Sequence, residues 1–299
     1  MRWPLPVVML VAAAAAACSV PPTGAAQTVP GAAAPGDVQV DPASPVQGDT
    51  LMVRVATAGH VRVTVEWDGA AVPAFEFPGG LVRALIGTDP DVAPGTHRLR
   101  VTLRAGDGTI TGVTRPIRLL PGRFGARTLT LPPATFGLIS AKNLAVEAQA
   151  LGPVLRRRTP LVFWRGPFQA PSTGPMDSPY GLQSMYNGHR EWWHMGVDFD
   201  APAGAPVTAA NAGIVALARA LPLGGNTIVI DHGQGVVTEY LHLSAFGVRA
   251  GDRVEKGAVI GRIGATGLVT GPSLHWGLYV LGLPVNPLFW LEAHPGLTS

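Results

Sequence analysis

Three short segments in the last third of the chain place histidine and aspartate at spacings suited to metal chemistry. In the first, His194 and Asp198 stand four residues apart within strand-like sequence. Side chains on a strand alternate between its two faces, so an imidazole and a carboxylate at this spacing share a face. The second segment contains His242. In the third, Ser273 and His275 are two residues apart and would also share a face.

These residue types match the needs of a catalytic zinc ion. Such an ion usually has three nitrogen or oxygen ligands from the protein and one position open to water. His194, Asp198 and His275 supply three ligands, which leaves His242 for the chemistry. Glu239 is a further carboxylate nearby, but strand alternation should turn it away from His242. We therefore predict a Zn2+ cofactor held by the first three residues, with His242 beside it.

The segments resemble the lysostaphin-type (LytM-like, M23) cell-wall metallopeptidases over about residues 171–292. The resemblance rests on His-x-x-x-Asp at 194–198, Tyr-Leu-His-Leu at 240–243 and Gly-Pro-Ser-Leu-His-Trp-Gly at 271–277. It implies an open β-sandwich peptidase domain of the duplicated hybrid motif type. It also implies zinc bound at the positions of His194, Asp198 and His275. The implied role of His242 is to assist the water nucleophile or stabilise the transition state, and the implied substrate is the peptide part of bacterial peptidoglycan.

One position departs from the family pattern. The third motif usually reads His-x-His, and its first histidine is a second catalytic group, whereas this chain has Ser273 there. A serine hydroxyl can hydrogen-bond a water but does not act as a base near neutral pH. Loss of a general base typically costs about 10²–10⁴-fold in rate. We therefore expect an intact metal site and a catalytic pair, His242 and Ser273, that is half-replaced.

Three other interpretations fit parts of the sequence. A conventional zincin is suggested by His189 and His194 with Glu191 between them, but the histidines are five residues apart instead of four. A biotin- or lipoyl-type carrier is suggested by the sequence around Lys256, which lacks the context of such carriers. A catalytically silent family member, which binds cell wall and regulates other wall hydrolases, stays open because of Ser273. The endopeptidase is the main hypothesis and this regulator is its alternative.

The elements that must position these residues are strands. Only 14% of the residues are charged, and the chain has 38 Gly and 29 Pro, which favours short strands joined by turns. Between residues 37 and 120, apolar and polar residues alternate with period two, most clearly at 61–67 and 98–104. About seven short strands predict an immunoglobulin-like β-sandwich there. The fold class is therefore all-β, with the peptidase domain at 171–299.

A connector is predicted at residues 121–170. Within it, Ser140 can cap a short helix that begins at Ala141 and reaches Leu151. The following Gly-Pro pair at 152–153 is expected to end the helix.

The first residues predict export. Arg2 precedes an apolar stretch at 5–17 that is too short to span a bilayer comfortably and is typical of a signal peptide, assigned to residues 1–17. Cys18 is the chain's one cysteine, and the small residues before it resemble a bacterial lipobox. Residues 18–36 are rich in Ala, Pro and Gly, which indicates a flexible tether. We predict a cell-envelope lipoprotein anchored in a membrane through Cys18, without internal disulfides.

Charge gives no reason to expect a nucleic-acid partner. The chain has 22 basic and 19 acidic residues, a net charge of +3, and its one basic run is Arg156–Arg158. The function predicted from the sequence is therefore zinc-dependent hydrolysis of peptide cross-links in peptidoglycan, carried out by an exported enzyme.

Overall fold

A computed structural model of the chain describes residues 37–57, 61–77 and 80–294. The predicted signal peptide (1–17) and tether (18–36), with Cys18, lie outside the described residues. Within them the fold is all-β, as predicted, with a β-sandwich at the N-terminal side and a second β domain at the C-terminal side.

The N-terminal domain is a sandwich of two four-stranded sheets, which confirms the immunoglobulin-like prediction. The sheets have the strand orders β1-β2-β6-β5 and β4-β3-β7-β8. Alternation decides which side chains enter the core: Val65, Leu99 and Val101 are at most 1% exposed, while the residues between them face outward. The strands are β1 (Val38–Asp41), β2 (Thr50–Ala56), β3 (Val61–Trp67), β4 (Ala70–Val72), β5 (Ala74–Phe77), β6 (Leu81–Gly87), β7 (Gly95–Ala105) and β8 (Ile110–Leu119).

The central strands of the β1-β2-β6-β5 sheet contribute side chains to two apolar cores, one on each face. One face packs in the sandwich core, whereas Met52 and Leu85 of the other face belong to the apolar core of the C-terminal domain. Arg83 on the same sheet is 2% exposed, and its Nε and Nη2 donate to Gln234 Oε1 over 3.1 and 2.7 Å. The N-terminal domain is therefore packed directly against the domain that carries the predicted site.

The connector contains a strand as well as helices. Its elements are β9 (Ala126–Leu129), α1 (Pro133–Phe136) and α2 (Ala141–Leu155). Helix α2 begins as predicted, because Ser140 Oγ accepts a hydrogen bond from the backbone N–H of Asn143. Its predicted end was wrong: the helix continues through Pro153 to Leu155. The last turn persists because the side chains of residues 154 and 155 pack against the C-terminal domain.

The C-terminal domain is built on a ten-stranded sheet, with the order β10-β13-β20-β17-β16-β15-β18 and with β14, β19 and β21 attached along it. All its pairings are antiparallel. A 3-10 helix, Pro287–Leu291, follows the last strand. The strands are β10 (Met176–Ser178), β11 (Gln183–Tyr186), β12 (Arg190–Trp193), β13 (Gly196–Asp200), β14 (Pro206–Thr208), β15 (Gly213–Leu221), β16 (Gly225–Gly233), β17 (Val236–Phe246), β18 (Arg253–Val254), β19 (Val259–Ile263), β20 (Ser273–Val280) and β21 (Leu283–Val285).

A separate three-stranded sheet, β12-β11-β9, flanks the large one. Strands β11 and β12 form an antiparallel hairpin, and β9 of the connector pairs in parallel with β11. The connector therefore supplies a strand beside the hairpin that leads into the predicted metal ligands.

Candidate metal centre

Two neighbouring strands of the large sheet and the end of the hairpin position the predicted ligands. The antiparallel register of β13 and β20 pairs Asp198 directly with His275, so their side chains leave the sheet side by side. His194 follows β12. Its backbone N–H donates to Leu182 O over 2.7 Å, and its carbonyl accepts from Gly181 N over 2.8 Å, which fixes it beside the two sheet residues.

The three ligand atoms form a nearly equilateral triangle. His194 Nε2 lies 2.9 Å from Asp198 Oδ1 and 3.0 Å from His275 Nδ1, and the last two atoms are 2.9 Å apart. Ligand atoms at about 2 Å from a tetrahedral zinc ion lie about 3.3 Å apart. Two imidazole nitrogens and one carboxylate oxygen at these distances fit the predicted zinc ion.

Electrostatics keep the carboxylate in its ligand form. Burial alone would raise the pKa of Asp198, but the adjacent imidazoles of His194 and His275 hold that pKa well below its ordinary value. Burial also acts to lower the pKa of His275, while the adjacent Asp198 outweighs it and raises the pKa overall. Asp198 therefore carries a negative charge, which favours a cation between the three residues.

His194 is oriented from behind by backbone. Its Nδ1 lies 2.8 Å from the carbonyl oxygen of Pro179 and 3.3 Å from Ser178 Oγ. A carbonyl only accepts hydrogen bonds, so Nδ1 carries the proton and Nε2 keeps its lone pair for a metal.

His275 faces a buried carboxylate instead. Its Nε2 lies 3.9 Å from Glu239 Oε1, and that oxygen accepts a 2.6 Å hydrogen bond from Tyr279 OH. Glu239 is 4% exposed, and burial raises its pKa; its Oε2 has no hydrogen-bond partner among the described residues. Glu239 is thus an outer neighbour of the proposed metal ligand, although strand alternation from His242 had predicted it on the opposite face.

Two glycines make room for this approach. Gly277 lies opposite Glu239 on β17 and opposite Gly196 on β13, in one row across three strands. A Cβ at Gly196 would lie 2.6 Å from His275 Nε2, and one at Gly277 would lie 2.9 Å from Glu239 Oε1. Any larger residue in either position would displace the imidazole or the carboxylate.

A bulge turns His242 toward the same centre. His242 has a positive φ of 66°, and β17 has an extra residue relative to β16 at this point. Bulges re-aim side chains in this way. The rings of His242 and His275 have centroids 6.4 Å apart. Because the bulge reverses the alternation, His242 and Glu239 both adjoin His275, and the prediction that they point apart was wrong.

The environment of His242 determines which of its ring nitrogens carries the proton. Its Nδ1 lies 2.8 Å from Thr266 O, so Nδ1–H donates there and Nε2 is the acceptor nitrogen. Burial, followed by the nearby His275, lowers the pKa of His242 to about 4. The side chain is therefore neutral at pH 7 and able to accept a proton.

Arg127 of the connector also reaches the centre, and nothing in the sequence indicated it. Its Nε donates to Ser184 Oγ over 2.8 Å and its Nη1 to Ser178 Oγ over 2.6 Å. Its Nη2 lies 3.9 Å from Asp198 Oδ2. The contact depends on the parallel pairing of β9 with β11, which has no local sequence signal.

Ser273 lies on the same strand as the ligand His275, whereas His189 lies outside the ligand group. Ser273 begins β20, pairs in register with Asp200 and lies two residues from His275, on the same strand face. His189 is exposed in the turn of a hairpin, with its ring 6.3 Å from that of Phe136, and does not belong to the ligand group. The segment after it is a strand, which excludes the helical zincin motif.

Comparisons with known proteins agree with this geometry. Residues 193–287 match the model of peptidase family M23. The chain is 41% identical to the peptidoglycan DD-endopeptidase ShyA of Vibrio cholerae over 121 residues, 38% of this chain and 28% of that protein. It is 40% identical to the DD-carboxypeptidase/endopeptidase Mpg of Neisseria meningitidis over 124 residues, 42% of this chain and 29% of that protein. The chain thus spans less than a third of the length of these curated relatives.

The similarity to a solved structure extends beyond the matched segment. A Pseudomonas aeruginosa protein assigned to peptidase M23 superposes with a TM-score of 0.63 at 25% identity, over 85% of this chain and 97% of that one. The family match, the relatives and the three converging ligands lead to one conclusion: the C-terminal domain of this chain, with the matched residues 193–287, belongs to peptidase family M23, as the sequence motifs predicted.

Proposed function

We propose that this protein is a zinc-dependent endopeptidase that hydrolyses peptide cross-links in bacterial peptidoglycan. The observation that carries the proposal is the triangle of ligand atoms from His194, Asp198 and His275, with neutral His242 beside it. The substrate class is supported by the matched relatives, which are named as peptidoglycan peptidases.

The residues divide the chemistry among them. Bound Zn2+ would act as a Lewis acid that polarises the scissile amide carbonyl and makes a water molecule more acidic. Asp198 contributes the negative charge of the site, and the two histidines contribute neutral nitrogens. His242 accepts a proton from the attacking water at Nε2 and returns it to the leaving amine, while Thr266 O holds its Nδ1–H in place.

Ser273 is proposed as the second catalytic residue, with a limited role. Its hydroxyl lies on the strand face of His275 and can hydrogen-bond a water or the substrate. It does not replace a histidine base, so proton transfer falls to His242.

The residue at 273 also favours a second candidate function, a wall-binding regulator with little or no peptidase activity. It would bind zinc and peptidoglycan but release no fragments. All three metal ligands are present, which argues for the enzyme.

The site of action follows from the proposed substrate. We place the protein in the cell envelope, exported and held to a membrane by a lipid on Cys18. In the described part of the chain no helix has the length and apolar character needed to cross a bilayer. A Cys18→Ala variant is expected to move from the membrane fraction to the soluble envelope fraction; unchanged membrane association would remove the anchor from the proposal.

Digestion of purified sacculi tests the activity. The full chain is incubated with sacculi in the presence of zinc or of a chelator, and released fragments are identified by mass. We expect the protein to cleave cross-linked dimers in the presence of zinc and to leave them intact in the presence of the chelator. Removing the chelator and adding zinc should restore the activity. His242→Ala should release fragments at least about 100-fold more slowly, whereas His97→Gln, a histidine change in the N-terminal sandwich, should behave like the unaltered protein. A folded, zinc-loaded protein that releases nothing would favour the regulator.

A further inference from the structure

The outer face of the β4-β3-β7-β8 sheet concentrates arginine. Five exposed arginines project from it, and they define what we call the arginine face: Arg62, Arg98, Arg100, Arg104 and Arg118. Glu66 is the one acidic residue at an outward position of these strands. Five arginines and one glutamate give the face a charge of +4, which exceeds the net +3 of the whole chain.

Within the described residues these charges are only partly balanced. Among the described residues, none of the five arginines has an ion pair with an acidic group. The register of β3 and β7 places Arg62 directly opposite Arg104, while Glu66 stands opposite Arg100. Like charges in directly opposed positions destabilise a sheet. The face therefore holds positive charge against local repulsion, which a bound anion would relieve.

The other sheet of the sandwich offers less free surface, because much of its outer face is covered. Met52 and Leu85 pack in the core of the C-terminal domain, and Arg83 donates a hydrogen bond to Gln234 of that domain. The sandwich thus presents one broad sheet face to solvent, and that face is the positively charged one.

We propose that the arginine face binds the free carboxylates of peptidoglycan; this rests on the proposed function, since the same polymer is its substrate. The guanidinium fork matches a carboxylate with two parallel hydrogen bonds. Hydroxyl groups that suit the amides and sugars of the polymer lie at outward positions between the arginines: Thr64, Thr96, Thr102 and Thr114. One large apolar side chain, Ile110, is exposed at the edge, which is little for insertion into a membrane.

The consequence is a second attachment to an insoluble substrate. Binding at one site makes the encounter at the other effectively intramolecular and raises the local substrate concentration. The arginine face should therefore matter for intact sacculi and not for a small soluble fragment.

The test compares two triple variants with the same change in charge. The first carries Arg62→Gln, Arg100→Gln and Arg104→Gln; the control carries Arg123→Gln, Arg157→Gln and Arg158→Gln, all exposed in the connector. Co-sedimentation of the full chain with sacculi is measured in a chelator, which prevents metal-dependent cutting. We expect binding by the first variant to fall about 10-fold or more. Its melting temperature should change little, because the variant removes the repulsive pair Arg62–Arg104 together with the attractive pair Arg100–Glu66. The control should bind like the unaltered protein.

The outcomes separate this proposal from the proposed function. Equal binding by both variants, or an equal loss in both, would overturn the arginine face. Tighter binding to phosphatidylglycerol vesicles than to sacculi, lost in the first variant, would overturn it in favour of a membrane. Activity on a soluble cross-linked muropeptide is measured separately and should not change. If the unaltered protein cuts nothing while the binding loss is seen, the surface stands and the endopeptidase fails.

A second inference rests on Arg127. We infer that Arg127 is a positioning residue for two metal ligands. It holds Asp198 from the Oδ2 side, and through Ser178 it reaches Nδ1 of His194, which is 3.3 Å from the serine oxygen. Its side chain is 25% exposed and is fixed by Ser184 as well. Outer partners of this kind typically change metal affinity about 10–100-fold.

The sign of the change identifies the role. Arg127→Met removes a positive charge next to the cation site, so a residue that acted only through charge would yield tighter zinc binding when lost. A positioning role predicts the opposite, about 10–100-fold weaker binding, measured by chelator competition on the full chain. Arg123→Met, an exposed arginine in the same connector, is the control.

A second variant guards against misfolding. Ser178→Ala leaves Arg127 and β9 in place but breaks the link to His194, and it should weaken zinc binding less than Arg127→Met. Its effect decides the question if Arg127→Met is unfolded. Unchanged or tighter zinc binding in the folded variants would overturn the inference.

Discussion

The two histidines of the metal centre are held by different regions of the molecule. His275 lies in β20, between β13 and β17 in the middle of the large sheet, and is 8% exposed. His194 lies at the end of the β11-β12 hairpin, where the neighbouring strand β9 comes from the connector. The central region is part of the domain core. The hairpin region is an edge, assembled from segments that are distant in sequence.

Their outer partners differ in the same way. The nitrogen of His194 that faces away from the ligand triangle meets a backbone carbonyl, and that of His275 faces the buried carboxylate of Glu239. A carbonyl fixes the tautomer, whereas a carboxylate also makes the imidazole a stronger ligand. The comparison teaches that loss of the central half should disturb folding and metal binding together, and loss of the edge half chiefly metal binding.

The largest expected effect comes from the ligands themselves. His194→Ala and His275→Ala should each abolish stoichiometric zinc, because two protein ligands do not complete the site. Both imidazoles are buried, with 9% of the His194 side chain and 10% of the His275 side chain exposed. His275→Ala should lower the free energy of unfolding of the chelator-treated protein by about 1–3 kcal/mol, and by more than His194→Ala, because it removes packing between the central strands of the large sheet. Zinc content by atomic absorption and urea unfolding measure the two effects. Stoichiometric zinc in His194→Ala would contradict the assignment of His194 as a metal ligand.

The next largest effect is expected from the loss of His242, which acts in catalysis but is not a metal ligand. His242→Ala should lower kcat about 10²–10⁴-fold, the range for a lost general acid or base, and leave zinc content unchanged. Single-turnover kinetics on a soluble muropeptide with the zinc-loaded variant would measure it. A kcat within a few-fold of the unaltered enzyme would mean that His242 moves no proton.

A smaller effect should follow from the carboxylate behind His275. Glu239→Gln keeps the shape of the side chain but removes its ionisable group, so zinc affinity should fall about 10-fold. Chelator competition measures this affinity. Glu255→Gln, an exposed glutamate paired loosely with Arg253, is the control and should have no effect. Equal zinc affinities for the unaltered protein, Glu239→Gln and Glu255→Gln would show that Glu239 does not strengthen His275 as a ligand, and the contrast between the two histidines would fail.

The smallest effect is expected from a change at Ser273, the second residue of the proposed catalytic pair. Ser273→His should raise kcat, by less than His242→Ala lowers it, because a second imidazole adds a proton carrier. Zinc affinity should not change, since residue 273 is not a ligand. Unchanged or lower activity in the folded, zinc-loaded variant would mean that the site works by another arrangement.

Local periodicity explains what could be predicted. The alternation in β3 and β7 indicated the sandwich, because neighbouring residues determine that pattern. The four-residue spacing of His194 and Asp198 indicated a shared site, but the reason given for it, one face of one strand, was wrong: His194 follows β12 and Asp198 lies in β13. The same rule failed for Glu239. The bulge at His242 inserts one residue into the ladder, and a single insertion reverses every later side chain. The end of α2 was missed because contacts with the other domain, not local propensity, extend the helix.

By itself, the sequence determined which side chains can bind the metal, because ligand chemistry is a property of the residue types in short segments. Tertiary structure alone decided that Arg127 meets Asp198 and that five arginines from three strands form one face. These groupings depend on strand order and register, which bring together residues far apart in the chain. Such pairing is set by the burial of whole sheets, and no single segment encodes it.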